Sequence, residues 1–242
     1  MKQTQINYSD AEQKLVGQLI HSENLNDKAP GIIIYPAFDG PSEFYIHYAR
    51  QLADEGYVCF VADIYGDGEV AKTLEACFEC ITPFLEDRSL VRRRALLAFE
   101  TFKHMTQVDE HNIGAIGFCF GGMCMLEVAR SGAALKAGVG AHSALAAADL
   151  PKNKITTKLL LMQGFQDPQV PASSLDAFSK EMFEAGNEDW EFIFYGDGQH
   201  SFTDPATGTF DAVKEAELGR VYNETLAKRT YQRALNFFHE TL

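Results

Sequence analysis

Ile113-Gly114-Ala115-Ile116-Gly117-Phe118-Cys119-Phe120-Gly121-Gly122-Met123-Cys124 is the stretch on which the reading of this chain turns. A run of apolar and small residues, the pattern of a buried strand, ends in glycines, and a helix-like segment follows. Gly117-Phe118-Cys119-Phe120-Gly121 has the spacing of a nucleophile elbow, with cysteine where serine is usual. The central residue of such an elbow occupies a strained strand-to-helix turn, in backbone space that ordinary residues avoid. Strand and helix then pass so close that a Cβ at Gly117 or Gly121 would clash. The turn sets Cys119 at the positive end of the following helix, where a thiolate is favoured. It leaves the backbone N–H of Phe120 free to hold an oxyanion. A plainer reading stands beside this one: the glycine spacing is common, and a buried cysteine is usually a small hydrophobe. A parallel sheet, a base and an acid elsewhere in the chain decide between the two.

The flanking sequence supplies the sheet. Residues 12–20 partly alternate and predict an edge strand, and 24–30 is a polar turn. Gly31-Ile32-Ile33-Ile34-Tyr35 is a short apolar run, the mark of a buried parallel strand, and it ends in the loop Pro36-Ala37-Phe38-Asp39-Gly40-Pro41. Ser42 is placed to cap a helix running to Glu55, with Gly56 as its stop. Residues 58–64 form the next strand, and 71–80 and 88–106 read as helical. Strands follow at 137–141, 159–162 and 190–195, with helices over 171–184 and 224–239. Strands alternating with helices require crossovers, so the fold class is α/β: a doubly wound, mostly parallel sheet with helices on both faces, in one domain spanning 1–242.

The totals exclude other classes. A net charge of −13 opposes binding to nucleic acid or to an anionic membrane surface. No apolar run approaches the roughly 20 residues of a membrane span. The polar start Met1-Lys2-Gln3-Thr4-Gln5 leads into no secretory h-region. Five cysteines cannot all pair within the chain, and they read as reduced thiols of a cytoplasmic protein.

Ligands on open α/β sheets bind at the carboxyl ends of the strands. Cys119, Asp167 and His200 each fall just after an apolar strand, at that edge. Their order is nucleophile, acid, histidine, the order of the α/β-hydrolase fold. The histidine would take the thiol proton and later return one to the leaving group, while the aspartate fixes its tautomer. Taken singly, Asp167-Pro168 could be an Asx turn and His200 a surface loop residue. The second oxyanion donor expected from the fold's rule is the backbone N–H of Ala37. Phe38, Phe118, Phe120, Phe165 and Phe202 flank these positions and suggest an apolar acyl or ring pocket.

The chain resembles the dienelactone hydrolase family at Gly117-Phe118-Cys119-Phe120-Gly121-Gly122, at residues 164–171, and at Gly198-Gln199-His200-Ser201-Phe202. Asp63-Ile64-Tyr65-Gly66, Tyr222-Asn223 and residues 234–238 look similar too. The resemblance implies a Cys-His-Asp triad that cleaves a small-molecule ester or lactone without cofactor or metal. Two positions depart from it. Family members acting on dienelactone carry a glutamate after the first core strand, which keeps the resting cysteine neutral. Pro36 stands near that place here, so Cys119 is expected to pair directly with His200. Those members also carry an arginine shortly after the histidine that binds the substrate carboxylate. Asp204 stands there instead and would repel one. Two other readings share the scaffold: thioester or other acyl chemistry on the same triad, and a non-catalytic domain that binds a ligand or partner.

Weaker signals remain. Cys77-Phe78-Glu79-Cys80 lacks the context of a redox or metal motif and fits a helix face. His142 and Ser143 follow a strand on the correct edge and are candidates to line the pocket, although a structural histidine reads as well there. Arg92, Arg93 and Arg94 suggest a solvated helix face, with one guanidinium able to reach an anionic substrate.

Overall fold

The computed structural model describes residues 1–242, apart from the side chain of Ala172. Its strands are β1 (Lys2–Asp10), β2 (Gln13–His21), β3 (Ala29–Tyr35), β4 (Val58–Val61), β5 (Val108–Phe118), β6 (Ala137–Ala141), β7 (Lys158–Gly164) and β8 (Trp190–Tyr195). They form one sheet in the order β1-β2-β4-β3-β5-β6-β7-β8. From β4 through β8 every pairing is parallel, whereas β1 with β2 and β2 with β4 are antiparallel. Parallel strands covered on both faces must be apolar throughout. Residues 31–35 of β3 and all of β4 are accordingly buried, as are residues 113–118 of β5.

The first strand departs from the sequence reading. Lys2–Asp10 is too polar to read as a strand, because as the sheet edge it faces solvent along most of its length. Tyr8 fastens it inward. Its hydroxyl donates to the carbonyl of Asp63 at 2.6 Å and accepts from the Asp63 amide at 3.0 Å.

The helices are α1 (Glu43–Asp54), α2 (Leu74–Glu86), α3 (Arg88–Lys103), α4 (Phe120–Arg130), α5 (Ala172–Glu184), α6 (Ala212–Glu217) and α7 (Glu224–Thr241). α2 starts and ends later than the spacing suggests. Thr73 caps it by accepting from the Ala76 amide, and Asp87 begins α3 by accepting from the amides of Ser89 and Leu90. Ser42 precedes α1 but makes no side-chain capping bond. All five cysteines are free, and Cys77 and Cys80 lie on α2 as the helix reading expects. No helix is long and apolar enough to cross a membrane.

Among the parallel strands, alternation of strand and helix fails once. The β6-to-β7 connection, residues 142–157, contains no helix. Three arginines hold it instead, Arg130 fully buried and Arg88 and Arg92 half-buried. Arg130 donates to the Leu145 carbonyl at 2.7 Å, Arg88 to that of Ala146 at 3.0 Å, and Arg92 to that of Pro151. Glu127, fully buried on α4, balances this charge against Arg92 at 2.7 Å and Arg130 at 3.1 Å. Arg93 and Arg94 both pair with Asp10 at the β1–β2 turn. The three consecutive arginines are therefore structural ties, and none lines the cavity beside Cys119.

Removing one member of a buried ion network leaves its partners uncompensated in a low-dielectric setting. Glu127→Ala should cost about 3–5 kcal/mol in urea unfolding. A loss below about 1 kcal/mol would show that the arginines are adequately solvated without it.

Candidate active site

β5 delivers Cys119 to the sheet's carboxyl edge, and α4 begins at the next residue. Cys119 has φ +51° and ψ −113°, a conformation that costs a non-glycine residue energy and persists only where its surroundings enforce it. Its amide donates to Ala141 at 3.1 Å, and its carbonyl accepts from Gly122 and Ala144. The glycines have the role expected of them. A Cβ on Gly117 would collide with the Gly121 backbone, and one on Gly121 with the carbonyl of Tyr35. Gly122 has a separate reason: the side chain of Ser143 fills the space its Cβ would need.

The loops after β7 and β8 bring the other two residues to the same place. A Cβ on Gly164 would overlap the Gly198 carbonyl, so the two loops touch backbone to backbone. His200 donates its Nδ1–H to Asp167 Oδ2 at 2.8 Å, and its Nε2 lies 3.0 Å from Cys119 Sγ. Asp167 Oδ1 is held in turn by the Gln169 amide at 2.8 Å. His200 and Asp167 are buried, and Cys119 is half-buried.

The electrostatics of the pair are reciprocal. Burial alone would push the Cys119 thiol up, but the adjacent His200, by charge and hydrogen bond, and Arg220 together hold it below the ordinary thiol range. Burial alone would lower His200, but Cys119 and Asp167 together raise it to about 9. Both directions favour a thiolate facing an imidazolium over the neutral pair. The Phe120 amide adds a further donor that favours the thiolate.

Cys119 and His200 open into a cavity of about 190 Å³. Phe38 and Phe120 line it as the sequence suggests, joined by Phe78, Ile81 and Leu85 of α2. Those three repeat at helical spacing, so the apolar face was readable, but nothing local showed that it covers the site. Arg220 was missed altogether. Residues 219–221 run beside His200, with the His200 amide donating to Gly219 and its carbonyl accepting from Val221. This contact brings Arg220 into the lining, 4.3 Å above the Phe38 ring. Its guanidinium is held by Glu215 at 3.1 Å and by Ser201 Oγ at 2.8 Å.

Other expected residues lie elsewhere. Phe118 is fully buried against Tyr45 and Tyr48, in the core. Phe202 is fully buried against His142 and Tyr195. Phe165 is exposed and packs on Phe194, outside the cavity. His142 sits behind His200, ring centroids 5.2 Å apart, with Nε2 at 2.8 Å from Thr203 Oγ1. Burial first, then the charge of His200, depresses it well below the usual histidine range, so it stays neutral. Asp204 does not line the cavity. Ser201, at φ +58°, turns the chain, and Asp204 instead accepts from the Ala206 amide. The repulsion expected from Asp204 therefore has no place at the cavity, where the charged side chain is Arg220. The Ala37 amide also departs from expectation: it donates to the Tyr45 hydroxyl at 3.0 Å and is already engaged. The next amide, that of Phe38, has no acceptor among the described residues.

The comparisons agree with this architecture. The model of the dienelactone hydrolase family matches residues 16–242. The crystal structure of P91, described as a dienelactone hydrolase-like promiscuous phosphotriesterase from metagenomic libraries, is 30% identical. It superposes with a TM-score of 0.91 over 99% of this chain and 98% of its own. A structure named m3DLH is 34% identical, with a TM-score of 0.91 over 100% of this chain and 98% of its own. A Bradyrhizobium protein named "Probable 2-oxo-3-(5-oxofuran-2-ylidene)propanoate lactonase" is 25% identical over 214 residues, 82% of each chain. With its eight-stranded sheet, cysteine elbow and a family match reaching from β2 to the C-terminus, the chain belongs to the dienelactone hydrolase family and is a hydrolase of the α/β-hydrolase fold.

Proposed function

We propose that this hydrolase cleaves small esters or lactones with Cys119 as nucleophile, His200 as acid and base, and Asp167 as its orienting partner. The observation that carries the reading is the chain of contacts Cys119–His200–Asp167, at 3.0 and 2.8 Å, opening into one cavity. Each role follows from its contact. The thiolate attacks the carbonyl carbon, and charge moves onto the carbonyl oxygen. The amide of Phe120, which favours the thiolate at rest, and that of Phe38, which has no acceptor among the described residues, would receive that charge. His200 gives its Nε2 proton to the departing alkoxide, leaving a thioester on Cys119. Neutral His200 then takes a proton from water, which attacks the thioester and releases the acid. Asp167 stabilises the imidazolium in both halves without itself taking the proton.

Substrate choice follows from the walls. Aromatic and aliphatic side chains favour an apolar acyl or ring group, and Arg220 is the one charged residue beside Cys119 and His200 in the lining. The lactonase name carried by the Bradyrhizobium relative supports a cyclic ester within this class.

Hydrolysis of a short p-nitrophenyl ester should turn over in the wild type and fall to background in Cys119→Ala. Mass spectrometry should find an acyl group on Cys119 in the wild type during turnover. Equal rates in the two proteins, with no adduct, would refute the reading. The ionisation state gives a second test. Iodoacetamide should alkylate Cys119 readily at pH 7, and His200→Gln should move the midpoint up towards or past the free-thiol value of about 8.5, because burial is then opposed only by Arg220 and the Phe120 amide. A wild-type rate that stays negligible until that range would contradict the ion pair.

A further inference from the structure

The loop between β3 and α1 carries the Phe38 amide, and two polar side chains outside the triad hold this loop. Tyr45, on the first turn of α1, is 1% exposed. Its hydroxyl accepts from the Ala37 amide at 3.0 Å and donates to Asp39 Oδ1 at 3.0 Å. Both of its hydrogen-bonding capacities are thus spent on this one loop, two residues apart. The Tyr45 ring packs on Phe118, centroids 5.5 Å apart, and Phe118 immediately precedes Cys119. One side chain therefore touches both halves of the site: the end of the elbow strand through its ring, and the facing loop through its hydroxyl.

Asp39 completes the clamp. It is buried, and its carbonyl accepts from the Ala71 amide at 3.0 Å. Gly40 follows at φ +81°, where an added Cβ would strike the Glu69 carbonyl. The loop is thereby pinned on its outer side by 69–71 and on its inner side by Tyr45. Burying a carboxylate beside Asp204 is costly, and burial with that neighbour raises Asp39 to about 6 in spite of bonds from Ser42 and Tyr45. A fold has little reason to bear that cost for a surface loop, but good reason where a loop amide must be held to within a fraction of an ångström.

We infer that Tyr45 and Asp39 are positioning residues that set the Phe38 amide as the second oxyanion donor opposite Phe120. This rests on the ester-cleaving reading above. The clamp occupies the Ala37 amide and leaves the next one free, so it selects which backbone donor faces the cavity where the Phe38 side chain already lies.

The test separates stabilisation of charge on oxygen from reactivity of sulfur. Acylation of Cys119 by a p-nitrophenyl ester, read as the pre-steady-state release of p-nitrophenol, needs the oxyanion donors. Alkylation of Cys119 by iodoacetamide needs the thiolate but develops no oxyanion. In Tyr45→Phe, acylation should fall by about 10-fold or more while alkylation stays within about twofold of wild type. Asp39→Ala, which keeps the tyrosine ring, should show the same split. Unchanged acylation in a folded variant overturns the inference, and so does a parallel fall in both rates, which marks general damage to the site. If Tyr45→Phe does not fold, Asp39→Ala decides by the same two rates. A wild type that neither releases p-nitrophenol above background nor acquires an acyl group on Cys119 would remove the ester-cleaving reading itself, and the clamp's role with it.

Discussion

The close approach of β5 and α4 to the β3 loop is the constraint on which the rest of this structure depends. Cys119 adopts a positive φ because the chain must reverse within one residue while the backbone at 121 passes against the carbonyl of Tyr35. Only glycine at 117 and 121 allows this. The consequence is electrostatic as much as steric. The sulfur is raised above the sheet edge at the N-terminus of α4, where backbone amides point outward and a negative charge is favoured. The loops after β7 and β8 then need only meet each other, through Gly164 and Gly198, to bring acid and histidine within reach.

That geometry makes thiol and imidazole partners in a single proton equilibrium. His200 is buried and Cys119 half-buried, and desolvation acts against the charged form of each. Together, with Asp167 behind the imidazole, their mutual attraction outweighs the cost of desolvation, lowering one and raising the other. The surroundings preserve this balance. His142, packed against His200, stays neutral and adds no competing charge. The cavity lining contains no carboxylate that could hold the thiol protonated, since Pro36 stands near the place where some family members carry glutamate. Arg220 adds positive potential on the far side, itself balanced by Glu215.

Some of this was legible in the sequence for physical reasons. Parallel strands buried on both faces must be apolar, so Gly31–Tyr35 and Val58–Val61 announce themselves. An elbow needs small residues at fixed offsets, so Gly117 and Gly121 do too. Cys119, Asp167 and His200 follow from their place after strands. What could not be read depends on contacts between distant segments. Arg220 belongs to a stretch with no motif and reaches the cavity only because residues 219–221 pair beside His200. Phe118, Phe202 and His142 are near Cys119 or His200 in sequence, yet alternation and local turns send their side chains into the core. Lys2–Asp10 is too polar to announce a strand, because half of its hydrogen bonding is supplied by β2 and its outer face by water. The Ala37 amide was assigned by rule, and the Tyr45 hydroxyl, eight residues on, had already claimed it.

The proposed mechanism requires Cys119 to be a thiolate before any substrate arrives. The most direct measurement is the ultraviolet thiolate absorbance of the wild type minus that of Cys119→Ala, followed across pH. The difference reports one sulfur cleanly, since burial pushes Cys77 up to about 12 and holds Cys59 and Cys124 higher still. The thiolate–imidazolium pair predicts absorbance already present at neutral pH that disappears only on acidification. Absorbance that appears only as the pH passes the free-thiol range, about 8.5, would mean a neutral resting thiol and would contradict the account.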